Sequence, residues 1–379
     1  MPTAPRADDP RPGRTRGGRA IALSLLALLA LGCDGPCDPS VPGIVCRIAG
    51  TGELGFNRDG HAPAESDFYL LSAVRRGPDD RLYLMDFNNM RLRRIDPDGL
   101  VRTVVGNGFH ALADTTLPAE ESPLENPIDF AFGPAGELVF VQYHDPRVIR
   151  VEPDGHLRVL AGTGEVAMRG DEGDYEDALF AQFIQLDGIA IGDDGAIYVS
   201  DSLANRVRVI RDGVVYPFAG DGEARFAGDG GPATAASLHW PTAIELDADG
   251  GLLIADSQNH AVRRVAPDGT IRTVAGDGVE GFEGDGGLAT AARLDEPNGL
   301  AIDDDGTIYI ADRGNFRVRR VTPDGLIETI AGRGTQGSAG DGGPALDAAF
   351  GYVARIALDE GTLLVADQSN SCARRITLP

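Results

Sequence analysis

The sequence contains no lysine: all 34 of its basic residues are arginine, set against 58 acidic residues, and the formal net charge is −24. Nucleic acids bind to a basic face, which this composition does not provide. We therefore expect no nucleic-acid partner, and a monomer kept soluble by its acidic surface. Local catalytic signatures are missing as well. The chain has no nucleophile elbow, no phosphate-binding glycine loop and no His-Glu-x-x-His stretch.

Long hydrophobic runs are scarce. The apolar run from Ile21 to Leu31 has 11 residues, fewer than the roughly 20 that a membrane-spanning helix needs. Arginines precede it from Arg11 to Arg19, and Gly32 and Cys33 follow it. This arrangement resembles a bacterial lipoprotein signal peptide, whose cysteine becomes the lipidated first residue of the mature chain. An ordinary cleaved signal and a short membrane anchor are the alternatives.

The N-terminus therefore predicts three parts: a signal peptide over 1–32, a tether over 33–42 and a folded domain over 43–379. We expect an exported protein of the bacterial cell envelope, periplasmic or on the outer surface. Its contact with the membrane would be through the lipid alone, because acyl chains on Cys33 suffice as an anchor.

A glycine recurs at a nearly fixed interval through the rest of the chain, and we call it the glycine mark. It is found at Gly50, Gly106, Gly162, Gly220, Gly276 and Gly332. The intervals are 56, 56, 58, 56 and 56 residues, a register that only a repeat architecture maintains over this length. A residue present in every copy is then expected to be structural, and one that departs from the pattern becomes a candidate for function.

Each copy has the pattern of four short strands. In the fifth copy these are NGLAI, TIYIAD, FRVRRV and LIETIAG, separated by the turn sequences DDDG and TPDG. The stretches GPATAASL, GLATAARL and GPALDAAF predict at most one or two helical turns. The sequence thus predicts an all-β fold, a six-bladed β-propeller of four-stranded antiparallel blades.

The two ends of the repeat region complement each other. GIVCRIAG, from Gly43 to Gly50, matches a fourth strand, and the terminal CARRITLP matches a third. The N-terminal strand is expected to complete the last blade and close the ring. A disulfide between Cys46 and Cys372 would then fasten the closure, with Cys37–Cys372 as the alternative.

The segments LYLMDFNNMRLRRIDPDG, LLIADSQNHAVRRVAPDG and IYIADRGNFRVRRVTPDG resemble NHL repeats. The interleaved GDGGPATAA loops are similar to the bacterial and teneurin-like branch of that family. The resemblance covers about residues 43–379. It implies a propeller whose relatives bind proteins, peptides, glycans or RNA, while related propellers include lactonases and lyases. A shared fold does not choose among these activities.

Most recurring charged residues are expected to be structural. An aspartate ends the second strand of five blades, at Asp86, Asp201, Asp256, Asp312 and Asp367. An arginine follows five positions later in most copies, at Arg91, Arg206 and Arg317, with Arg147 in the second copy. We interpret these as one Asp–Arg pair per blade. Two consecutive arginines occur in the third strand of several blades. Neighbouring side chains on a strand point to opposite faces, so each such pair should be divided between the two sides of its blade.

The GDGG loops contain Asp229, Asp285 and Asp341, with Asp59 and Asp171 as looser equivalents. Closely spaced aspartates and glycines resemble calcium-binding loops, but these supply few carboxylates and lack the EF-hand spacing. We expect the glycines to allow tight turns and no resident cofactor to be needed, with Ca²⁺ or Zn²⁺ as the alternatives.

Side chains that break the repeat are the binding candidates. On the face built by the loops between strands two and three and the loops entering strand one, these are Phe87, Met90, Tyr143, His144, Trp240, His260, Arg313 and Phe316. Aromatic residues, methionine and arginine are favoured in interface cores. The second copy, with QYHDPR, departs most from the pattern.

We therefore predict an envelope-tethered binding platform without catalysis, whose partner is an envelope or extracellular protein, peptide or glycan. The alternative is a metal-dependent lactonase, another hydrolase or a lyase with its site at the mouth of the central channel. Glu125, Asn126, Asp187 and Asn298 would hold its metal, since each enters or begins an innermost strand. The histidines His144, His239 and His260 could instead approach a zinc ion.

Overall fold

The computed structural model of the protein describes residues 37, 38 and 40–378. Within these residues, 24 strands form six four-stranded antiparallel sheets, arranged as the blades of a propeller. The predicted fold is confirmed. The predicted signal peptide and Cys33 lie outside the described residues. Over the ranges described, no helix has the length and apolar character needed to cross a membrane.

In blades 1 to 5 the four strands follow one another in the chain, from the innermost to the outermost. Blade 1 contains β2 (Leu71–Arg76), β3 (Leu82–Asp86), β4 (Arg91–Ile95) and β5 (Val101–Val105). Blade 2 contains β6 (Pro127–Phe132), β7 (Leu138–Gln142), β8 (Val148–Val151) and β9 (Leu157–Ala161). Blade 3 contains β10 (Leu186–Ile191), β11 (Ile197–Asp201), β12 (Arg206–Arg211) and β13 (Val214–Ala219).

The remaining blades follow the same plan. Blade 4 contains β14 (Pro241–Leu246), β15 (Leu252–Asp256), β16 (Ala261–Val265) and β17 (Ile271–Ala275). Blade 5 contains β18 (Pro297–Ile302), β19 (Ile308–Asp312), β20 (Arg317–Val321) and β21 (Ile327–Ala331). Blade 6 contains β22 (Val353–Asp359), β23 (Thr362–Asp367) and β24 (Cys372–Thr377), and takes its outer strand from β1 (Val45–Ala49).

The predicted helical turns are single 3₁₀ turns. In the loops between blades they span Pro63–Glu65, Ala119–Glu121, Ala178–Phe180, Ala233–Ala235, Ala289–Ala291 and Ala345–Asp347. Between the second and third strands they span Phe87–Asn89, Ser257–Asn259 and Gln368–Asn370. The hydrophobic core lies between neighbouring blades: Val139 and Val141 of blade 2, for example, pack in one cluster with Phe183 and Val199 of blade 3.

The recurring glycine has a direct structural cause. At each mark the backbone is left-handed, with φ between +90° and +97°. A Cβ on Gly276 would overlap the carbonyl oxygen of His260, the residue before the third strand of that blade. The close approach and the positive φ both require glycine, so the chain repeats it once per blade.

The ring closes as predicted, but without the predicted disulfide. Strand β1 pairs antiparallel with β24, and Cys46 lies opposite Arg375 rather than Cys372. Cys46 is instead bonded to Cys37, at a Cα–Cα distance of 5.8 Å, and Cys372 is a free, buried thiol. Both predicted bridges to Cys372 are therefore wrong. The offset of three residues along the ladder separates Cys46 from Cys372, and the segment before β1 folds back onto Cys46.

The Asp–Arg pairing was predicted with the wrong arginine. In blades 1, 4, 5 and 6 the aspartate pairs with the arginine seven positions later, not five: Arg263 Nη1 lies 3.1 Å from Asp256, and Arg319 Nη1 lies 3.1 Å from Asp312. These arginine side chains are completely buried. Those five positions later, such as Arg317, donate instead to loop carbonyls, here those of Gly332 and Arg333.

The GDGG aspartates bind the same buried arginines from the other side. Arg263 Nη2 lies 2.6 Å from Asp229, and Arg319 Nη2 lies 2.7 Å from Asp285. The second oxygen of Asp229 accepts from the backbone N–H of Thr273. An asparagine, Asn259 in blade 4, completes the unit by donating to Asp256. These carboxylates hold the entry loop to the blade, which explains why they recur.

Candidate functional site

The loops joining strands two and three, and the segments that lead directly into the first strands, lie on one side of the ring, which we call the upper face. Backbone hydrogen bonds join the two kinds of loop in each blade. In blade 2, for example, Tyr143 N–H donates to the Asn126 carbonyl at 2.9 Å. Strained backbone gathers here: Asn126, Trp240 and Glu296 each precede a first strand with positive φ.

Below this face the central channel is filled by ion pairs. Arg355 of blade 6 donates to Asp187 of blade 3 at 2.6 Å and to Asp129 of blade 2 at 3.3 Å. Arg75 of blade 1 donates to Asp129 at 3.3 Å and lies 3.7 Å from Glu245 of blade 4. Burial raises the pKa of Asp187 and of Glu245, and the arginines only partly offset this. The network ties five blades together across the axis, all but blade 5.

Blade 2 lacks the buried Asp–Arg unit. Gln142 stands where the other blades have the strand-ending aspartate, and Ile149 stands where blades 1, 3, 4, 5 and 6 have the buried arginine. Ile149 is completely buried. Gln142 keeps the aspartate's main hydrogen bond, because its Oε1 accepts from Glu125 N–H at 2.7 Å. Because both charged partners are replaced by neutral residues, no buried charge is left unpaired. The loops of blade 2 at the upper face differ from those of the other blades for the same reason.

At the upper face of blade 2 two histidines and two oxygen-bearing side chains converge. His110 Nε2 lies 2.8 Å from Glu125 Oε2 and 2.9 Å from Asn126 Oδ1. His144 Nδ1 lies 3.0 Å from Asn126 Oδ1 and 4.0 Å from Glu125 Oε2. His110, Glu125 and His144 each offer one ligand atom, and these atoms all lie within 4.8 Å of one another. Glu125 is half-buried, and both imidazoles are about half exposed.

Of the residues proposed to hold a metal, the structure therefore brings Glu125 and Asn126 together with His144. It does not add the other two. The Asp187 carboxylate is bound by Arg355 in the channel, and the Asn298 amide donates to the Ala354 carbonyl at 3.0 Å. The other proposed zinc ligands, His239 and His260, belong to blade 4, where the His260 ring lies against the Glu296 backbone N–H.

An aromatic group adjoins this cluster. The Tyr143 ring is 5.0 Å from the His144 ring and 6.1 Å from Phe87, both in edge-to-face orientation. Burial raises the pKa of the Tyr143 hydroxyl. Met90, also a binding candidate, is instead buried, and its sulfur accepts from Asn126 N–H at 3.3 Å. Met90 therefore supports the cluster from below.

A second group lies on the upper face of blades 5 and 6. The Arg313 guanidinium stacks 4.3 Å from the Tyr352 ring and pairs with Glu296. Phe316 packs against the same tyrosine, with ring centroids 5.4 Å apart. Trp240 in blade 4 is half-buried, and its backbone N–H donates to Asn205. The binding candidates thus form two groups and not one continuous site.

Sequence reasoning missed His110. The residue lies four positions after the glycine mark of its copy, where the other copies have Leu54, Val166, Ala224, Glu280 and Gln336. A histidine at this place departs from the pattern in the same way as the residues that were selected. Its proximity to Glu125 depends on the loop, where His110 forms an isolated bridge with Leu124.

A family model for the Teneurin NHL domain matches residues 42–226 and 279–339. The chain belongs to the teneurin-type NHL family. Drosophila melanogaster Teneurin-m is 28% identical over 274 residues, which is 69% of this chain and 8% of Teneurin-m. The chain therefore corresponds to a small part of that relative.

Solved structures share the propeller fold. An auxiliary nutrient binding protein from Bacteroides thetaiotaomicron aligns with a TM-score of 0.65 at 18% identity, over 87% of this chain and 75% of that one. A gluconolactonase from Xanthomonas campestris aligns with a TM-score of 0.55 at 14% identity, over 91% and 99%. At these identities the likeness concerns the fold of this NHL propeller, and both binding and catalysis occur on it.

Proposed function

We propose that this NHL propeller is a non-catalytic binding platform for an envelope or extracellular protein, peptide or glycan, and that the upper face of blades 1 to 3 makes the contact. The observation that carries the proposal is the concentration of exposed apolar side chains there. Phe109 is 72% exposed and Met168 is 92% exposed, on the loops that enter blades 2 and 3. Together with Tyr143 and Phe87, such residues have the composition of an interface core.

The ion pairs that fill the channel favour a binding function at the upper loops over a catalytic site on the propeller axis. Arg355 and Asp129 are almost completely buried and occupy each other's hydrogen-bonding groups. A substrate entering the channel would have to break these pairs, which is costly in a buried site. A partner bound to the upper loops would not disturb them.

Export to the envelope is part of the same proposal. The Cys37–Cys46 disulfide is of a kind that persists in oxidising compartments. The apolar run before Cys33 supports a lipid anchor, which would leave the propeller as the part of the chain facing its partner.

The proposal is tested by affinity capture from envelope extract, with bound proteins identified by mass spectrometry and glycans by array. A Phe109→Ser/Tyr143→Ala variant should capture at least tenfold less of each wild-type ligand. Leu326→Ala is the control, because Leu326 is 40% exposed on the opposite face. Equal capture by the double variant and the wild type would refute the assignment of this face.

A second candidate function is metal-dependent hydrolysis at the upper face, favoured by the grouping of His110, Glu125 and His144. In such a site a metal would activate water, and Glu125 would be a ligand or a base. A panel of lactones and esters assayed with added Zn²⁺ tests this. Zn²⁺-dependent turnover that disappears in Glu125→Gln supports hydrolysis at this site. No turnover by the wild type, or turnover that survives in this variant, excludes it.

A further inference from the structure

We propose that His110, Glu125 and His144 bind one divalent transition-metal ion, with the chemistry of Zn²⁺, at the upper face of blade 2. The inference concerns metal binding itself and holds whether or not the propeller acts as a binding platform or as a hydrolase.

The spacing of the ligand atoms suits such an ion. Zinc ligands lie 2.0–2.1 Å from the metal, so that tetrahedral ligand atoms are about 3.3 Å apart. The Glu125 Oε2 atom is 2.8 Å from His110 Nε2 and 4.0 Å from His144 Nδ1, which brackets that value. Displacements of the exposed imidazole nitrogens by about half an ångström or slightly more would bring both distances to that value.

The orientation of Asn126 adds a fourth donor atom. Its amide nitrogen donates to Asn88 Oδ1 at 3.0 Å, which turns its oxygen toward the histidines. That oxygen faces His110 Nε2 and His144 Nδ1 at 2.9 and 3.0 Å. Two ring nitrogens and two oxygens then converge on one point, and a bound cation satisfies all four at once.

The backbone holds these residues in place before any ion binds. The Glu125 N–H donates to Gln142, and the His144 N–H donates to the Glu125 carbonyl. On the other side of the cluster, Leu124 exchanges backbone hydrogen bonds with Phe109 and Ala111, the two neighbours of His110. A preorganised ligand set lowers the ordering cost of binding.

The donor types select the metal. Two imidazoles and a carboxylate suit Zn²⁺, Ni²⁺ or Cu²⁺, whereas Ca²⁺ and Mg²⁺ prefer sites made wholly of oxygen. His110 and His144 are 52% and 54% exposed, so the open side of the ion would face solvent. A water molecule or a ligating group from a bound partner can complete the coordination there.

The arrangement is particular to blade 2. At the positions equivalent to His110, Glu125 and His144, blade 1 has Leu54, Tyr69 and Asn88, and blade 3 has Val166, Ile184 and Leu203. Blade 5 comes nearest with Glu280 and Asp295, but Gly314 offers no third ligand. In the part of the chain that the structure describes, one group of this kind is found. Three departures from the repeat thus coincide in space, which the packing of a blade does not require.

Isothermal titration with ZnCl₂ tests the site on the purified full-length protein without a histidine tag, after EDTA treatment and dialysis. We expect one Zn²⁺ per chain. Affinity should fall at least tenfold in His110→Asn, in His144→Asn and in Glu125→Gln. His156→Asn is the matched control, since His156 is comparably exposed beside Asp154 in a turn on the opposite face, and should bind as the wild type does.

Co²⁺ substitution gives a second readout. The wild-type protein should show the visible d–d bands of a low-symmetry nitrogen and oxygen site, and His110→Asn/His144→Asn should not. The variants are compared only after circular dichroism shows a folded propeller; if a single variant does not fold, the other single variants decide. Absence of stoichiometric Zn²⁺ binding by the wild type, or unchanged affinity in the folded histidine variants, overturns the proposal.

Discussion

Arg355 of blade 6 donates a hydrogen bond of 2.6 Å to Asp187 of blade 3, on the other side of the propeller axis. The two residues are 168 positions apart in the chain. Their side chains are 3% and 7% exposed. The pair therefore braces the ring internally, and removing one partner leaves the other charged and buried.

Arg355→Leu should lower the free energy of unfolding by about 3–5 kcal/mol, because Asp187 then loses its buried cation and Asp129 keeps only Arg75. Urea denaturation followed by fluorescence measures the change. Adding Asp187→Asn should recover part of the loss. As the control, Arg158→Leu should change stability by no more than about 0.5 kcal/mol, since the Arg158 side chain is 66% exposed. If Arg355→Leu and Arg158→Leu lowered the free energy of unfolding by similar amounts, the stabilising role of the Arg355–Asp187 pair would be contradicted.

The dependence of the free energy of unfolding on pH should reveal the titration of the Asp86 carboxyl. Burial raises the pKa of Asp86 to about 7, although hydrogen bonds from Tyr69 N–H and Asn89 and the charge of Arg93 act against the rise. The folded state thus holds this proton more tightly than the unfolded state, and stability falls as pH rises from about 4 to about 7. The free energy of unfolding of Asp86→Asn, relative to that of the wild type, should therefore rise by on the order of 2 kcal/mol between pH 5 and pH 7.5.

Asp247 supplies the matched control for this titration. Burial raises the pKa of Asp247, but the Arg264 guanidinium and the Gly251 N–H outweigh it and hold the pKa below its usual value. Its contribution to stability is lost only as pH falls through that low value, well under pH 5. The difference between Asp247→Asn and wild type should therefore stay constant from pH 5 to pH 7.5 in urea melts. A constant difference for Asp86→Asn too would show that Asp86 is already ionised at pH 5.

Cys372 should resist alkylation in the folded protein. Its side chain is buried, and burial raises the pKa of the thiol to about 12, so that little thiolate is present at pH 8. We expect iodoacetamide to label Cys372 only after unfolding, as measured by peptide mass spectrometry without reductant. A disulfide-linked peptide containing Cys372, in place of one joining Cys37 and Cys46, would contradict the structure.

Gly276→Ala should destabilise the propeller by about 2–3 kcal/mol. The residue has a φ of +90°, and a Cβ there would overlap the His260 carbonyl oxygen. Gly269→Ala separates the two causes, because Gly269 has a φ of +82° but no atom within 4 Å of the added Cβ. It should cost only about 1 kcal/mol from backbone strain. Equal losses in thermal or urea melts would mean that the close approach contributes nothing.

The fold was predictable from the repeat period because the period arises from a local conformational requirement that every blade shares. A glycine with positive φ is needed wherever the fourth strand of a blade passes the loop before the third, and no other residue type substitutes cheaply. Strand pattern and turn sequences are equally local, as in the IYIAD and TPDG segments of blade 5. Blade number, strand order and the closing role of β1 followed from these.

Pairing between side chains was less predictable. Asp312 and Arg317 are directly opposite in the ladder, as the sequence spacing indicates, yet the carboxylate bonds to Arg319. Both arginines point to the same side of the strand, because they are two positions apart. Arg317 donates to the loop carbonyls of Gly332 and Arg333, whereas Arg319 is completely buried and is reached by both Asp312 and Asp285. The predicted cysteine bridge failed because the register of β1 on β24 decides what lies opposite Cys46.

The sequence by itself determined the propeller, its six blades and the ring closure, since each depends on short segments repeated at a fixed interval. It also marked blade 2 as the copy that departs most. Only the tertiary structure brought His110 to Glu125 and His144, and carried Arg355 across the axis to Asp187. Those contacts join loops and blades that are distant in the chain, and their distances depend on how whole strands twist and pack.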